Sequence, residues 1–187
     1  PDRNEAVTFA IAAAATRGDV LLRNLRTEDI TPFLAKLNAM GVSYEVSGNE
    51  LRVWSEKGTE WEAVDVETGA HPGFMTDWQQ PFSVLLTQAK GKSTIHETIY
   101  PERLDYLEQL KIMGAEVEVM TPADAGLPFD PVRYGFDWQH SKEQPKVIAK
   151  IEGPAKLHGA SLEITDLRAG ATLVIAALSA AGESNIN

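Results

Sequence analysis

The sequence repeats itself, and a repeat restricts a chain to architectures built from one supersecondary unit used several times. Asp2-Arg3 precedes an apolar stretch, Val7 to Ala15, that stops at Gly18. Thr76-Asp77 precedes Phe82 to Leu86, stopping at Gly91, and Thr165-Asp166 precedes Ala169 to Ala181, stopping at Gly182. The Asp-to-Gly spacings are 16, 14 and 16 residues. Leu34-Ala-Lys-Leu37-Asn-Ala-Met40-Gly41 also aligns with Leu107-Glu-Gln-Leu110-Lys-Ile-Met113-Gly114, 39 and 37 residues from each Asp to each Gly. The expected organisation is one partial domain over 1-187, with a first unit at 1-75, a second at 76-164 and the start of a third at 165-187.

Within a unit the order reads helix, strand, helix, strand, strand. Asp2 with Glu5, and Asp77 with Gln80, have the spacing of N-caps with capping-box partners. Gly18, Gly91 and Gly182 stand where a glycine closing a helix is expected. Short strands follow at 20–22 and 93–95. Ile30, Phe33, Leu34, Leu37 and Met40 then recur at helical spacing, as do Leu104, Leu107, Leu110 and Met113, with Pro101 suited to a first turn. Alternating strands close the unit, at 42–46 and 51–53 around Gly48-Asn49 and at 115–119 in the second copy. The first helices, Phe9 to Ala15 and Ala171 to Leu178, are apolar nearly all round. That pattern predicts repeat-related helices at the centre, with sheets and amphipathic helices around them. Residues 121–144 carry Pro122, Gly126, Pro128, Pro131 and Gly135 and read as a long loop between strands of the second unit, either functional or variable decoration.

The chain has 17 basic and 27 acidic residues, a net charge of -10. That excess disfavours nucleic acid or an anionic membrane as a partner, since both need basic surface. Cysteine is absent, which removes disulfides, thiolate metal sites and cysteine nucleophiles from this chain's own chemistry. The longest apolar run, Ala169 to Ala181, is too short to span a bilayer. The opening Pro1-Asp2-Arg3 lacks the form of a signal peptide. Its ends suggest a piece of a longer protein, although a processed mature chain would look the same.

Asp2, Asp77 and Asp166 each fall at the start of a repeat-related helix. One reading makes all three N-caps and nothing more. The other brings three carboxylates and three positive helix ends to one rim, where an anion binds and an aspartate transfers a proton. Arg3, Arg103 and Arg168 lie near these starts, and Arg168, two residues after Asp166, is the better candidate for a phosphate or carboxylate clamp. His71, His96, His140 and His158 show no metal-ligand spacing, so surface or supporting roles are expected and no metal site. His71-Pro72 stands close enough to Thr76-Asp77 to shape that loop. Glycine-rich phosphate motifs and a G-x-S-x-G elbow are absent.

Four ordered motifs resemble the enolpyruvyl transferases: Pro1-Asp-Arg-Asn-Glu-Ala-Val-Thr-Phe9, His71-Pro-Gly-Phe-Met-Thr-Asp-Trp-Gln79, Ile95-His-Glu-Thr-Ile-Tyr-Pro-Glu-Arg103 and Thr165-Asp-Leu-Arg-Ala-Gly-Ala171. Among that family's branches they are most similar to the one acting on a nucleotide sugar. The resemblance implies an α/β (α+β) fold, an inside-out α/β barrel of repeated units, and a chain that is most of the C-terminal-half domain. It also implies transfer of the enolpyruvyl group from phosphoenolpyruvate to the 3-hydroxyl of UDP-N-acetylglucosamine, with release of phosphate, in cytoplasmic peptidoglycan synthesis. No cofactor or metal is implied, and the partner is the N-terminal-half domain of the same enzyme, without which the chain is expected to be inactive. By motif, Asp77 corresponds to the family's proposed base, Ile99 to a position contacting the nucleotide sugar, and Asp2, Arg103, Asp166 and Arg168 to the lining of the cleft, with Asp166 a second catalytic candidate. Pro101-Glu102 departs from the family's usual Glu-Asn before the arginine. The alternatives are transfer to shikimate 3-phosphate and a non-catalytic repeat domain.

Overall fold

The computed structural model describes residues 2–128, 130–137 and 144–187. Among the described residues, five helices and nine strands follow in the order α1 (Arg3–Ala15), β1 (Asp19–Leu22), α2 (Thr31–Met40), β2 (Ser43–Ser47), β3 (Glu50–Trp54), β4 (Val66–Glu67), α3 (Thr76–Gln88), β5 (Gly91–His96), α4 (Leu107–Ile112), β6 (Glu116–Met120), β7 (Ile148–Gly153), β8 (Ser161–Leu162), α5 (Leu167–Ser179) and β9 (Asn185–Ile186). Single 3-10 turns lie at Thr27–Ile30 and Pro131–Arg133.

The architecture is α/β, with repeated helix-strand units. Helices α1, α3 and α5 pack against one another, and each also meets strands that follow it: α1 on β1 and β3, α3 on β7, α5 on β9. The sheets are three open pieces ordered β1-β3-β2, β4-β5-β7-β6 and β8-β9. Among the described residues none closes into a barrel. The first sheet is antiparallel throughout; in the second, β4 runs parallel to β5 while β5, β7 and β6 are antiparallel.

The helix most deeply enclosed is not one of the most apolar. Thr76 and residues 78–87 of α3 are buried, including Gln79, Gln80, Ser83 and Thr87. Most of their polar groups find partners inside, among them the Ser83 and Thr87 hydroxyls, which donate to the carbonyls of Gln80 and Val84 at 2.6 and 2.8 Å; Gln80 Oε1 is buried without one among the described residues. Satisfied in this way, buried polar groups cost little. By contrast α1 and α5 bury one face and leave Phe9, Val174 and Leu178 exposed. The expectation that the apolar helices α1 and α5 are wrapped on all sides therefore holds only in part, and the fully enclosed repeat-related helix is α3. Among the described residues no element covers the outer side of α1 or α5.

Three further expectations need correction. The glycines after the long helices are not the left-handed closing residues. After α1 it is Arg17 that takes φ 56°, and the Gly18 N–H then donates to the Ala13 carbonyl at 2.8 Å. Gly91 opens β5 and Gly182 lies beyond α5. The left-handed stop falls at Gly41 after α2, with φ 81°, and again at Gly114, with φ 95°, where glycine avoids the Cβ clash. Helix α4 is also shorter than the leucine spacing predicts, because residues 101–106 form turns. The Arg103 carbonyl accepts from the Gln79 side chain at 3.1 Å, and the Leu107 N–H bonds Leu104 instead. Pro101 consequently stands in a turn rather than in a helix.

Aromatic contacts join the units. Phe33 of α2 and Phe74 before α3 meet Trp78 and Phe82 edge to face, with ring centroids 5.3 to 6.4 Å apart. Trp78 Nε1 donates to Asn4 Oδ1 at 2.9 Å, which fixes the start of α3 beside the start of α1. The inserted loop does separate β6 from β7. Its described part packs Tyr134 on His96, while Phe129, His140 and the rest of 138–143 lie outside the described residues.

Candidate active site

The starts of α3 and α5 and the turn 100–105 enclose an open cleft of about 580 Å³. Asp77, Tyr100, Arg103, Asp166 and Arg168 are among the residues lining it. Asp77 Oδ1 lies 3.4 Å from an Arg103 guanidinium nitrogen and 3.8 Å from Nε of Arg168. Asn4 Nδ2 donates to the other oxygen, Oδ2, at 3.4 Å. The three charged side chains are roughly one-quarter exposed, at 25% for Asp77, 26% for Arg103 and 21% for Arg168. Solvent and ligand therefore reach them.

The three repeat-related aspartates differ in what they do. Asp2 caps α1, accepting from the Asn4 amide at 2.7 Å. Asp166 caps α5, its Oδ1 accepting from the Arg168 and Ala169 amides at 2.8 and 3.0 Å. Asp77 is not a cap: α3 starts one residue earlier, at Thr76, and its N-cap Met75 makes no side-chain bond. Released from that duty, the Asp77 carboxylate turns to Asn4 and the two arginines. Pro81, four residues on, also withholds the helical amide that the Asp77 carbonyl would otherwise accept from.

The arginines are held from behind. Tyr106, a buried phenol whose proton burial retains well above the ordinary range, donates to Gln79 Oε1 at 2.9 Å. Gln79 in turn donates to the Arg103 carbonyl. The Arg103 guanidinium carbon stands 4.9 Å from the Tyr100 ring centroid, a cation–π distance. Gln80, fully buried on α3, donates to Asp166 Oδ2 at 3.3 Å and so joins α3 to the turn bearing Arg168. Two guanidinium groups converging on one carboxylate make a place where a phosphate or carboxylate binds and where a hydroxyl proton has an acceptor.

Of the sequence-derived site residues, the structure brings Asp77, Asp166, Arg103 and Arg168 together. Asp2 is exposed and does not line the cleft; Asn4, two residues on, reaches Asp77 in its place. Ile99 stands one residue before the wall, half-buried, with Gly135 of the inserted loop close to its Cα and Cδ1. Arg3 is not among the lining residues. His71 is exposed. His96 is buried between Glu67 and Tyr134, at 3.2 and 2.9 Å, and burial pushes its pKa down. No group of three or more His, Cys, Asp or Glu side chains among the described residues is placed to hold a metal ion. Sequence reasoning missed Asn4, Gln79, Gln80 and Glu97. For Gln79 and Gln80 the available signal was polar residues inside the apolar period of α3, which a buried helix rarely carries without partners; Asn4 and Glu97 lie outside that helix and gave none.

A protein-family model described as EPSP synthase (3-phosphoshikimate 1-carboxyvinyltransferase) matches residues 1–187, and the chain belongs to that family. It is 41% identical over 187 residues to the UDP-N-acetylglucosamine 1-carboxyvinyltransferase of Chlamydia pneumoniae, covering 100% of this chain and 38% of that protein. The UDP-N-acetylglucosamine 1-carboxyvinyltransferase 2 of Geobacillus kaustophilus is 40% identical over 187 residues, covering 100% and 37%. Among solved structures, the enolpyruvyl transferase NikO from Streptomyces tendae superposes with a TM-score of 0.79 at 22% identity, covering 100% of this chain and 38% of that one, a likeness of fold. The chain thus spans well under half the length of these relatives.

Proposed function

We propose that the protein carrying this chain transfers the enolpyruvyl group of phosphoenolpyruvate to the 3-hydroxyl of UDP-N-acetylglucosamine, the first committed step of peptidoglycan synthesis. The acceptor oxygen adds to C2 of phosphoenolpyruvate as its proton leaves and a proton is delivered to C3. Phosphate then departs from C2 as C3 gives up a proton, which restores the C2–C3 double bond and leaves the enol ether of the acceptor. Asp77 accepts the hydroxyl proton. Arg103 and Arg168 hold the anionic groups, offsetting charge that builds on the departing phosphate. Asp166 takes a smaller share, since its Oδ1 is committed to the α5 amides. Asp2 would act through the start of α1, and Ile99 through the turn that follows it.

The observation that carries this reading is an aspartate at a helix start that does not cap the helix and is held instead by two arginines and Asn4. A non-catalytic repeat domain, with aspartates serving as caps, accounts for Asp2 and Asp166 but not for Asp77. The relatives named above, at 40 and 41% identity, favour the nucleotide sugar over shikimate 3-phosphate as acceptor. This chain covers 38 and 37% of those relatives, which leaves length for a further domain; in this reading an N-terminal-half domain closes the open side of the cleft, and an inside-out barrel is completed outside this chain. A cytoplasmic location fits soluble substrates; no helix among the described residues is long and apolar enough to cross a membrane. The test is phosphate release by the full-length protein with each acceptor, in wild type and Asp77→Asn. Release with UDP-N-acetylglucosamine that collapses in the variant is expected, and release with shikimate 3-phosphate alone overturns the acceptor assignment.

A further inference from the structure

We propose that Glu97 is a positioning residue of the cleft, a buried carboxylate that ties the turn bearing Arg103 to the start of α3 and so sets Arg103 against Asp77. This rests on the cleft being the reaction site, as proposed above. Glu97 is fully buried and follows β5, whose ladder with β7 ends at His96. Its Oε1 accepts from the Ile99 amide at 2.7 Å, the Tyr100 amide at 3.1 Å and the Thr68 hydroxyl at 2.9 Å. Its Oε2 accepts from the Thr76 hydroxyl at 2.8 Å. All four donors are neutral.

A carboxylate without a bonded counter-charge is expensive to bury, and only a full set of donors makes it tolerable. Thr68 is itself locked, accepting from the Thr98 amide at 2.8 Å while its carbonyl accepts from the Thr98 hydroxyl at 2.7 Å. The cost is spent at a joint between two cleft walls. Thr76 immediately precedes Asp77, in a first turn that has no side-chain cap. Tyr100 lies against Arg103, which reaches Asp77. Glu97 therefore touches both walls, although it is not among the residues lining the cleft. It acts through Thr76 and Tyr100 and exchanges no proton with substrate.

The experiment compares Glu97→Ala and Glu97→Gln in the full-length protein. Glutamine keeps an acceptor toward the Ile99 and Tyr100 amides and replaces the oxygen facing Thr76 by a donor; alanine removes both links. From the worth of a buried hydrogen bond to a charged group, Glu97→Ala should speed exchange of the Ile99 and Tyr100 amide hydrogens roughly 10- to 100-fold. The Ile95 and Ala149 amides, in the β5–β7 ladder, should stay within about threefold, because they belong to a separately protected unit. The same variant should lower kcat by about 10- to 100-fold while the shape of the rate–pH profile persists, since the proton acceptor is still Asp77. Glu97→Gln should restore most of the loop protection.

Unchanged protection at Ile99 and Tyr100 overturns the proposal, as does an equal speeding of the ladder amides, which would mean a general loss of stability. A rate–pH profile that loses a limb would make Glu97 a proton-transfer group and overturns it too. If the alanine variant does not fold, Thr76→Val, which cuts only the Oε2 link to the start of α3, should lower kcat with the shape of the rate–pH profile kept, and an unchanged kcat overturns the proposal. Exchange needs no turnover. Failure of the wild type to transfer enolpyruvate would therefore sink the functional reading, while the exchange data still decide the role of Glu97.

Discussion

Replacing Asp77 by Asn separates chemistry from architecture, because the two have different magnitudes at this position. The change keeps shape and deletes one negative charge from between two guanidinium groups at 3.4 and 3.8 Å. At those distances each attraction is about 4 kcal/mol before desolvation, with an effective dielectric constant of about 20. The groups are about one-quarter exposed, so solvent screening and side-chain ordering reduce each pair to about 1 kcal/mol or less. No cap is lost, since α3 takes none from Asp77. The structural cost is then about 1–2 kcal/mol, or a few degrees in Tm for a protein of this size or larger. Loss of a general base lowers kcat by about 10²–10⁴-fold. The assay pairs steady-state phosphate release with thermal unfolding of the full-length protein. Turnover within about threefold of wild type would refute Asp77 as proton acceptor, whose loss is expected to cost far more. A collapse of Tm that accounts for the lost activity would show that the carboxylate is structural.

The other expectations are simpler. Asp166→Ala removes the α5 cap and should destabilise by about 1 kcal/mol, whereas Asp166→Asn, an equally good cap, should cost much less in the same chemical unfolding series. Gly153→Ala places a methyl about 2.5 Å from the Ala89 carbonyl oxygen and 2.6 Å from that of Thr87; the strain should cost about 1–3 kcal/mol, read as a lower denaturation midpoint with unchanged m-value. His96 has a folded-state pKa below its unfolded value because it is buried. The unfolded state thus binds the proton more readily, and the His96 contribution is present above about pH 6.5 and lost as pH falls below it. His96→Gln should flatten that part of the stability–pH curve, and an unchanged slope would contradict the assignment.

Much of the fold was legible because its signals are local and repeated. The hairpin strands β2 and β3 and the amphipathic α2 follow from periods and turn chemistry within single segments, whereas the closing glycines expected at 18, 91 and 182 fall instead at Gly41 and Gly114. Strands β4, β8 and β9 are two residues long, too short for any period to register, and they exist through pairing with distant partners. Burial followed long-range packing rather than composition: α3, with glutamines on its buried surface, outranks the more apolar α1 and α5. The same holds at the site. The motifs brought out Asp77, Asp166, Arg103 and Arg168, but spacing alone made Asp77 look like a cap. A shift of two residues in the helix start, from an N-cap at Asp77 to one at Met75, releases its carboxylate, and no local pattern encodes that shift. Asn4, Gln79 and Glu97 act across 73, 24 and 21 residues of sequence, beyond the reach of any local pattern.

The measurement that bears most directly on the account is product analysis of the full-length protein incubated with phosphoenolpyruvate and UDP-N-acetylglucosamine. The account predicts equal amounts of inorganic phosphate and a nucleotide sugar heavier by one enolpyruvyl group, attached at the 3-oxygen, with residues 1–187 alone releasing none. Absence of that product from the folded full-length protein, or steady turnover by the isolated chain, would contradict it.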